Sequence, residues 1–363
     1  MSEGALALDN PAAQVVIITG GSSGIGRCTA ALFARRGWTV GLIARGAEGL
    51  AACLRDIEAV GGHAAAAQAD VTDSTALAEA TAALVAALGA VDVWINCAGN
   101  GVYGRFDDVP EREFQRVTDV TYHGVVNGTR VALANMRPRD AGSIVNVCSA
   151  IAFHGLPMMS SYAGAKAAVR AFGQAVQGEL RLERSRIRIS TVYPPAVNTP
   201  FFSHAVSHMG WPARPARPVY QPEVVAQGIW QAVASGRREM TISGTAAAFS
   251  LATRIAPGLI AWCMSQLGME RQLTRDHDAC RLQEPTLFVA SQRVFDVHGP
   301  FGNGARARSM HLFLERQLTA VKAAFRRAWP GRARPPDARS QPKRVRPEPD
   351  RELGGSEERL ADS

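Results

Sequence analysis

The 363-residue sequence predicts an α/β fold, a doubly wound parallel sheet covered by helices on both faces and followed by a C-terminal helical extension. Three observations lead there. Short apolar runs alternate with longer helical stretches from Val15 to Ile242. The first run stops at a glycine-rich turn that opens directly into a helix. The composition, 47% hydrophobic and 20% charged, is that of an ordinary globular protein.

The elements follow in order. "VVIITG" is an apolar run halted by glycine, the signature of a buried strand, and "GIGRCTAALFARRG" is a helix closed by Gly37. "WTVGLIAR" is the second strand, and "AEGLAACLRDIEAVGG" the second helix, stopped by glycines. "HAAAAQAD" is ambiguous: its alanines favour helix, and only its place in the alternation argues for a strand. "VDVWINCAG", "GSIVNVCS" and "RIRISTVYPP" are further strands, with helices near Pro110–Met136 and Ser160–Arg184 between them. After Val192 comes an aperiodic stretch rich in proline and aromatics, of the kind that usually serves a function, here a lid over a substrate. "EVVAQGIWQAVASG" and "REMTI" then supply a helix and a last strand. The expected organisation is a disordered N-terminus (1–12), a nucleotide-binding domain (13–245), a helical extension (246–329) and a disordered charged tail (330–363).

The net charge of +8 raises nucleic acid as a partner. From Phe301 onward there are 14 Lys+Arg against 8 Asp+Glu, so +6 of the excess lies in the last sixth and the body is nearly neutral. That argues against a nucleic-acid function for the fold, although a basic tail can touch phosphates or a membrane surface. No secretory leader or apolar run long enough to cross a bilayer is visible, and the six cysteines form no C-x-x-C pair. The expected location is cytoplasmic, with reduced thiols.

The chemistry begins at "TGGSSGIG". A glycine-rich turn between a first strand and a first helix lets the backbone approach a pyrophosphate, and the helix N-terminus adds N–H donors. The spacing Gly20, Gly24, Gly26 is not the common G-x-G-x-x-G, and glycines also make plain turns. "YAGAK" adds a tyrosine and a lysine four apart, on one helical face, among small residues. Such pairs also arise by chance, and Ser149 at a strand end is ordinary by itself.

Together "TGGSSGIG", "NCAG", Ser149 and "YAGAK" resemble the short-chain dehydrogenase/reductase family, over roughly Val15 to Ile242 and with Tyr162 13 positions after Ser149. The resemblance implies a Rossmann fold, a nicotinamide dinucleotide, a carbonyl or alcohol substrate, and a Ser149–Tyr162–Lys166 site. It also implies a homo-oligomer. Cofactor contacts fall on Gly20, Ser22, Ser23, Gly24, Ile25 and Gly26 of the turn. Asp70 and Val71 would bracket the adenine; Asn96, Ala98 and Gly99 would line the ribose and nicotinamide side. Val197 and Thr199 would hold the carboxamide, and Lys166 the ribose. Pro194-Pro195 replaces the usual Pro-Gly.

The second strand ends at Ala44 and Arg45, without the carboxylate that would bind a ribose 2′-hydroxyl. An arginine can fork two hydrogen bonds to a 2′-phosphate, so NADP(H) is expected over NAD(H). Arg45 also reads as a plain solvated loop arginine. An ammonium about 4 Å from the Tyr162 phenol would lower its pKa by roughly three units, to near 7, and suit it to proton transfer. Ser149 would hydrogen-bond the substrate oxygen. Thr121 stands where the family usually carries an asparagine supporting a proton-relay water, 28 positions before Ser149. Its hydroxyl could order that water, or the relay could be impaired. The latter would leave a catalytically weak NADP(H)-binding regulator of the same fold.

Two further features are open. His204 and His208 have metal-ligand spacing without a third ligand nearby, and no metal is expected. The stretch from Ala246 to Met269 is either an amphipathic element in peripheral contact with a membrane, or a helical cover for the pocket or an oligomer interface. Phe201, Phe202 and Trp211 hint at an apolar substrate.

Overall fold

The computed structural model describes residues 14–266 and 272–328. The segments expected to be disordered, 1–12 and 330–363, lie outside these residues, as does the end of the apolar stretch at 267–269.

The chain runs β1 (Val15–Thr19), α1 (Gly24–Arg35), β2 (Thr39–Ala44), α2 (Ala47–Glu58), β3 (Ala64–Gln68), α3 (Ser74–Leu88), β4 (Val91–Asn96) and β5 (Val102–Tyr103). Next come α4 (Glu111–Thr118), α5 (Gly124–Met136), β6 (Ser143–Val147), α6 (Ser160–Leu182) and β7 (Arg188–Tyr193). Then follow α7 (Phe201–His204), β8 (Val206–Ser207), α8 (Pro222–Ser235) and β9 (Glu239–Thr241). The extension holds α9 (Gly244–Ile255), α10 (Pro257–Gln266), α11 (His277–Arg281) and α12 (Met310–Ala328).

Seven strands form one parallel sheet in the order β3-β2-β1-β4-β6-β7-β9. The order reverses between β1 and β4, which opens a crevice beyond their carboxyl ends. Alternate residues of each strand serve opposite faces. Val16, Ile18, Val40, Leu42, Val93 and Ile95 pack with Phe33 and Ile229 on one side. Ile17, Ile43, Trp94 and Ile144 pack with Leu77 and Leu84 on the other.

"HAAAAQAD" is a strand. It pairs at the sheet edge with β2, and small side chains suit a position pressed by α2 and α3. The sequence reading did not single out α3, whose alanine-rich interior has little apolar periodicity; Asp73 caps it by accepting from the amides of Thr75 and Ala76. The single helix expected near Pro110–Met136 is interrupted by a π-helical turn over Asp119–His123. Such turns carry one extra residue and often mark functional sites. This one buries Thr121 completely. The apolar stretch beginning at Ala246 is two helices, divided where Pro257 starts the second.

Candidate active site

The crevice is a cleft of about 550 Å³, floored by residues that leave the carboxyl ends of five strands: Gly20, Arg45, Asp70, Ala98 and Ser149. Its backbone comes very close at the first turn. Gly20 has φ +70, and a Cβ there would lie 2.7 Å from the Ala98 Cα. A Cβ on Gly26 would lie 2.1 Å from the Gly20 carbonyl oxygen. Only glycine fits either place, and the result is a concave cradle beside the N-terminus of α1 that backbone groups line closely. Ser22, Ser23, Gly24, Ile25, Val71, Gly99, Val197 and Thr199 also face the cleft.

Two expected residues do not face it. Asn96 is buried behind the wall, where its amide donates to Asn146 (2.8 Å) and Thr129 (3.1 Å) and accepts from Trp94 (2.7 Å). It ties β4 to β6 and α5 and supports the cradle from below. Thr121 is likewise internal: its hydroxyl donates to the Asn100 carbonyl at 3.3 Å and accepts from the Asn100 amide at 3.5 Å. It orders backbone at the cleft wall rather than projecting into the cleft.

Ser149, Tyr162 and Lys166 meet at the other end. Ser149 follows β6 and caps a short 3-10 turn, its hydroxyl accepting from the Ile151 amide at 3.3 Å. Tyr162 sits in the first turn of α6, its ring 5.3 Å from that of Phe201 and tilted by 53°, with the Ser149 hydroxyl beside its phenol. Lys166 is one turn on, buried, with Nζ 2.8 Å from the Val147 carbonyl and 5.6 Å from the Tyr162 ring centre. Burial dominates both titrations. It pushes the phenol well above its ordinary value, aided by the Cys148 thiol and opposed by the Ser149 hydrogen bond, and it pushes the Lys166 ammonium down. The phenol pKa near 7 expected from the sequence is therefore not a property of the chain alone. Lys166 spends a hydrogen bond on Val147 and lies beside the ring, and the positive charge of an oxidised nicotinamide is not part of the chain.

Arg45, which follows β2, is held by the chain while about a quarter (26%) of its side chain stays exposed. Its Nη2 donates to the carbonyls of Thr286 (2.6 Å) and Val289 (3.2 Å), and its Nη1 approaches that of Leu287 (3.4 Å) and lies 4.0 Å from Asp70. Burial pushes the Asp70 carboxyl up, but hydrogen bonds from Arg116 and Thr72 outweigh this and hold it below the ordinary range. Sequence reasoning missed Arg116, because an arginine on an amphipathic helix carries no signal of burial. It also missed Asn100, which lines the cleft, is buried, and among the described residues has no protein partner for either polar atom of its amide. Phe201 and Phe202 line the cleft, with Phe249 of α9 and Met264 of α10 beyond them. Trp211 does not; it packs on Arg275 outside. His204 and His208 engage different partners, the Val294 carbonyl and Glu113.

The profile of the short chain dehydrogenase family matches residues 14–210, more than half of the sequence. The chain belongs to the short-chain dehydrogenase family. An uncharacterized oxidoreductase of Bacillus subtilis, YxnA, is 30% identical over 256 residues, covering 70% of this chain and 72% of its own. Among solved structures, an actinorhodin polyketide ketoreductase with NADPH is 26% identical, with a TM-score of 0.57, over 64% of this chain and 96% of that one. A short chain dehydrogenase from Mycobacterium paratuberculosis bound to NAD is 25% identical, with a TM-score of 0.56 over the same shares, 64% and 96%. The protein is thus an oxidoreductase with the nicotinamide-dinucleotide-binding fold of short-chain dehydrogenases. The family match ends at residue 210, before the segment whose carbonyls hold Arg45.

Proposed function

We propose that this short-chain dehydrogenase is an NADP(H)-dependent oxidoreductase that interconverts a carbonyl and an alcohol at Ser149, Tyr162 and Lys166. One observation carries the reading: a serine and a tyrosine hydroxyl meet at the end of the dinucleotide cleft, with a buried ammonium one turn behind the phenol. A bound nicotinamide supplies or accepts the hydride. The chain handles the oxygen. Tyr162 gives it a proton in reduction and removes one in oxidation. The Ser149 hydroxyl donates to the same oxygen and stabilises the charge that develops there. Lys166, held by Val147, makes the phenolate less costly through its positive charge. Phe201 and Phe202 exclude water and favour an apolar substrate.

The NADP(H) preference is supported by Arg45 at the end of β2 and by the NADPH seen with the ketoreductase; the mycobacterial relative with NAD is the counterexample. The chemistry is assigned to a domain spanning 13–245 and the rest to an extension, 246–329, of which Phe249 and Met264 line the cleft. A homo-oligomer is supported by the outward apolar stripe of α12, with Met310, Phe313, Leu318 and Val321 exposed. Among the described residues no helix is long and apolar enough to cross a membrane. Peripheral contact of a cytoplasmic protein is supported by Leu251, Ile255, Leu259 and Trp262, exposed on α9 and α10 around the basic Arg254. Flotation with anionic vesicles tests that contact.

A second reading, a cofactor-binding regulator with little turnover, is favoured by the engagement of Thr121 with Asn100. Fluorescence titration with NADPH and NADH, then NADPH oxidation against a panel of ketones and aldehydes, separates the two. Tight NADPH binding with turnover supports the enzyme. Binding without turnover on any carbonyl supports the regulator. Absence of binding by either dinucleotide sinks both.

A further inference from the structure

The segment from Glu284 to Gly299 lies along the cofactor cleft and is tied to the residues expected to hold the cofactor. At one end its carbonyls take the Arg45 guanidinium. Leu287 also accepts from Arg116 at 3.1 Å. Further on, the Asp296 carbonyl accepts from the Gly24 amide at 2.9 Å, the first N–H of α1, and the Phe295 carbonyl accepts from Arg27 at 2.8 Å. The middle is a closed loop of its own. The Glu284 carboxylate accepts from the Ser291 hydroxyl (2.5 Å) and from the amides of Gln292 (2.8 Å), Val294 (2.9 Å) and Arg293 (3.2 Å). Burial would raise that carboxyl, but these donors outweigh it and hold it at about 2, so it is ionised and the loop is knit at neutral pH.

We propose that this segment is a strap that sets the choice between the two nicotinamide dinucleotides, because a 2′-phosphate must take Arg45 away from it. The inference rests on the cofactor reading above. The argument is one of donors. A guanidinium grips a phosphate with two parallel N–H bonds, either from Nη1 and Nη2 or from Nε and Nη2. Both arrangements need a hydrogen of Nη2. Nη2 has two, and they point at Thr286 and Val289. With the strap down, neither fork is available. The three carbonyl oxygens around the guanidinium and the nearby Asp70 also present negative charge to a dianion. A 2′-hydroxyl has no such conflict, since it can donate to a carbonyl or a carboxylate. The strap in its closed position therefore admits NAD(H) and resists NADP(H), and a bound 2′-phosphate displaces the Thr286–Val289 stretch. An Arg45 that reads as an NADP(H) selector is a selector only when the strap lets go.

The test uses the full chain. Amide hydrogen exchange at Gln292, Arg293 and Val294, the three amides on Glu284, is followed with saturating NADPH and with saturating NADH. In parallel, Glu284→Gln and Ser291→Ala, which loosen the loop without touching Arg45, are titrated with both dinucleotides. Faster exchange with NADPH and unchanged exchange with NADH are expected. Each variant should tighten NADPH by about tenfold, the weight of one hydrogen bond to a charged group, and move NADH by less than about twofold. Exchange unaltered or slowed by NADPH, or equal tightening of both dinucleotides, overturns the strap. Failure of both dinucleotides to bind the wild-type chain overturns the cofactor reading itself and is a different result. The exchange experiment needs only the wild-type chain, so it decides even where a variant fails to fold.

Discussion

At one end of the cleft, Tyr162 and Lys166 stand one turn apart on a single 23-residue helix, four positions from each other in sequence. At the other end, Arg45 is held by carbonyls 241 to 244 residues away along the chain. The reacting end is built from local spacing on rigid elements; the adenosine end is built from backbone brought back by the C-terminal extension. Local spacing can be read from a string of letters, because a helix converts a gap of four into a shared face. A carbonyl carries no side-chain identity, so no residue pattern announces that it will face an arginine. The contrast also assigns roles. The rigid end suits proton transfer, which depends on placement, and the returning segment suits selection, which depends on something that can yield.

The sharpest way to break the comparison is Tyr162→Phe. The ring and its contact with Phe201 remain, and only the hydroxyl is lost. Turnover should fall by about 10²- to 10⁴-fold, the usual worth of a positioned acid–base group, with dinucleotide affinity unchanged in a fluorescence titration. A loss of affinity of similar size would mean that the two ends are not separable. Next is Gly26→Ala. Its Cβ would meet backbone, the Gly20 carbonyl at 2.1 Å, so nothing flexible can move aside. Binding of both dinucleotides should drop together, at a stability cost of about 1–3 kcal/mol by thermal melting. Selective loss of one would place the selection at the turn rather than at Arg45.

A pH profile sharpens the reacting end. Burial raises the Tyr162 pKa, so the phenol is protonated below that raised value and ionises only above it. Reduction uses the protonated form and should be flat from about pH 6 to 9 in kcat/KM. Oxidation uses the ionised form and should rise with pH across the same window, about tenfold per unit. An oxidation rate that is flat in this range would mean that the phenol is already ionised at neutral pH once the site is loaded, as the close Tyr162–Lys166 spacing first suggested.

Most of the sheet was legible. "VVIITG", "WTVGLIAR" and "VDVWINCAG" became β1, β2 and β4 because buried parallel strands are apolar along their whole length. β3 was legible only by rhythm, since alanine has no strand preference and its pairing with β2 supplies the missing reason. Thr121 and Asn96 show the limit on the site. Both lie beside the cleft without facing it, because a π-turn and a side-chain network through Asn146 decide which way each points. Position follows from spacing. Direction follows from packing against residues far along the chain.

Asn100 offers the smallest effect and the finest discrimination. It follows the "NCAG" turn, lies at the wall shared by the two ends, and among the described residues neither atom of its buried amide meets a protein partner. A buried amide without a partner costs about 1–3 kcal/mol relative to one that is satisfied. Replacing it by an apolar group of similar shape removes that cost, so for stability alone Asn100→Leu should be neutral or favourable. Its backbone, which holds Thr121, is untouched by the exchange. If the amide exists to meet a water, a substrate or a cofactor group, the same change should lower turnover. The expected outcome is a melting temperature that holds or rises by a few degrees, with kcat/KM reduced about tenfold. A variant that gains stability and keeps full activity would assign Asn100 to neither end of the cleft. A variant that loses activity through KM for the dinucleotide joins it to the adenosine end, and a loss through kcat joins it to Tyr162.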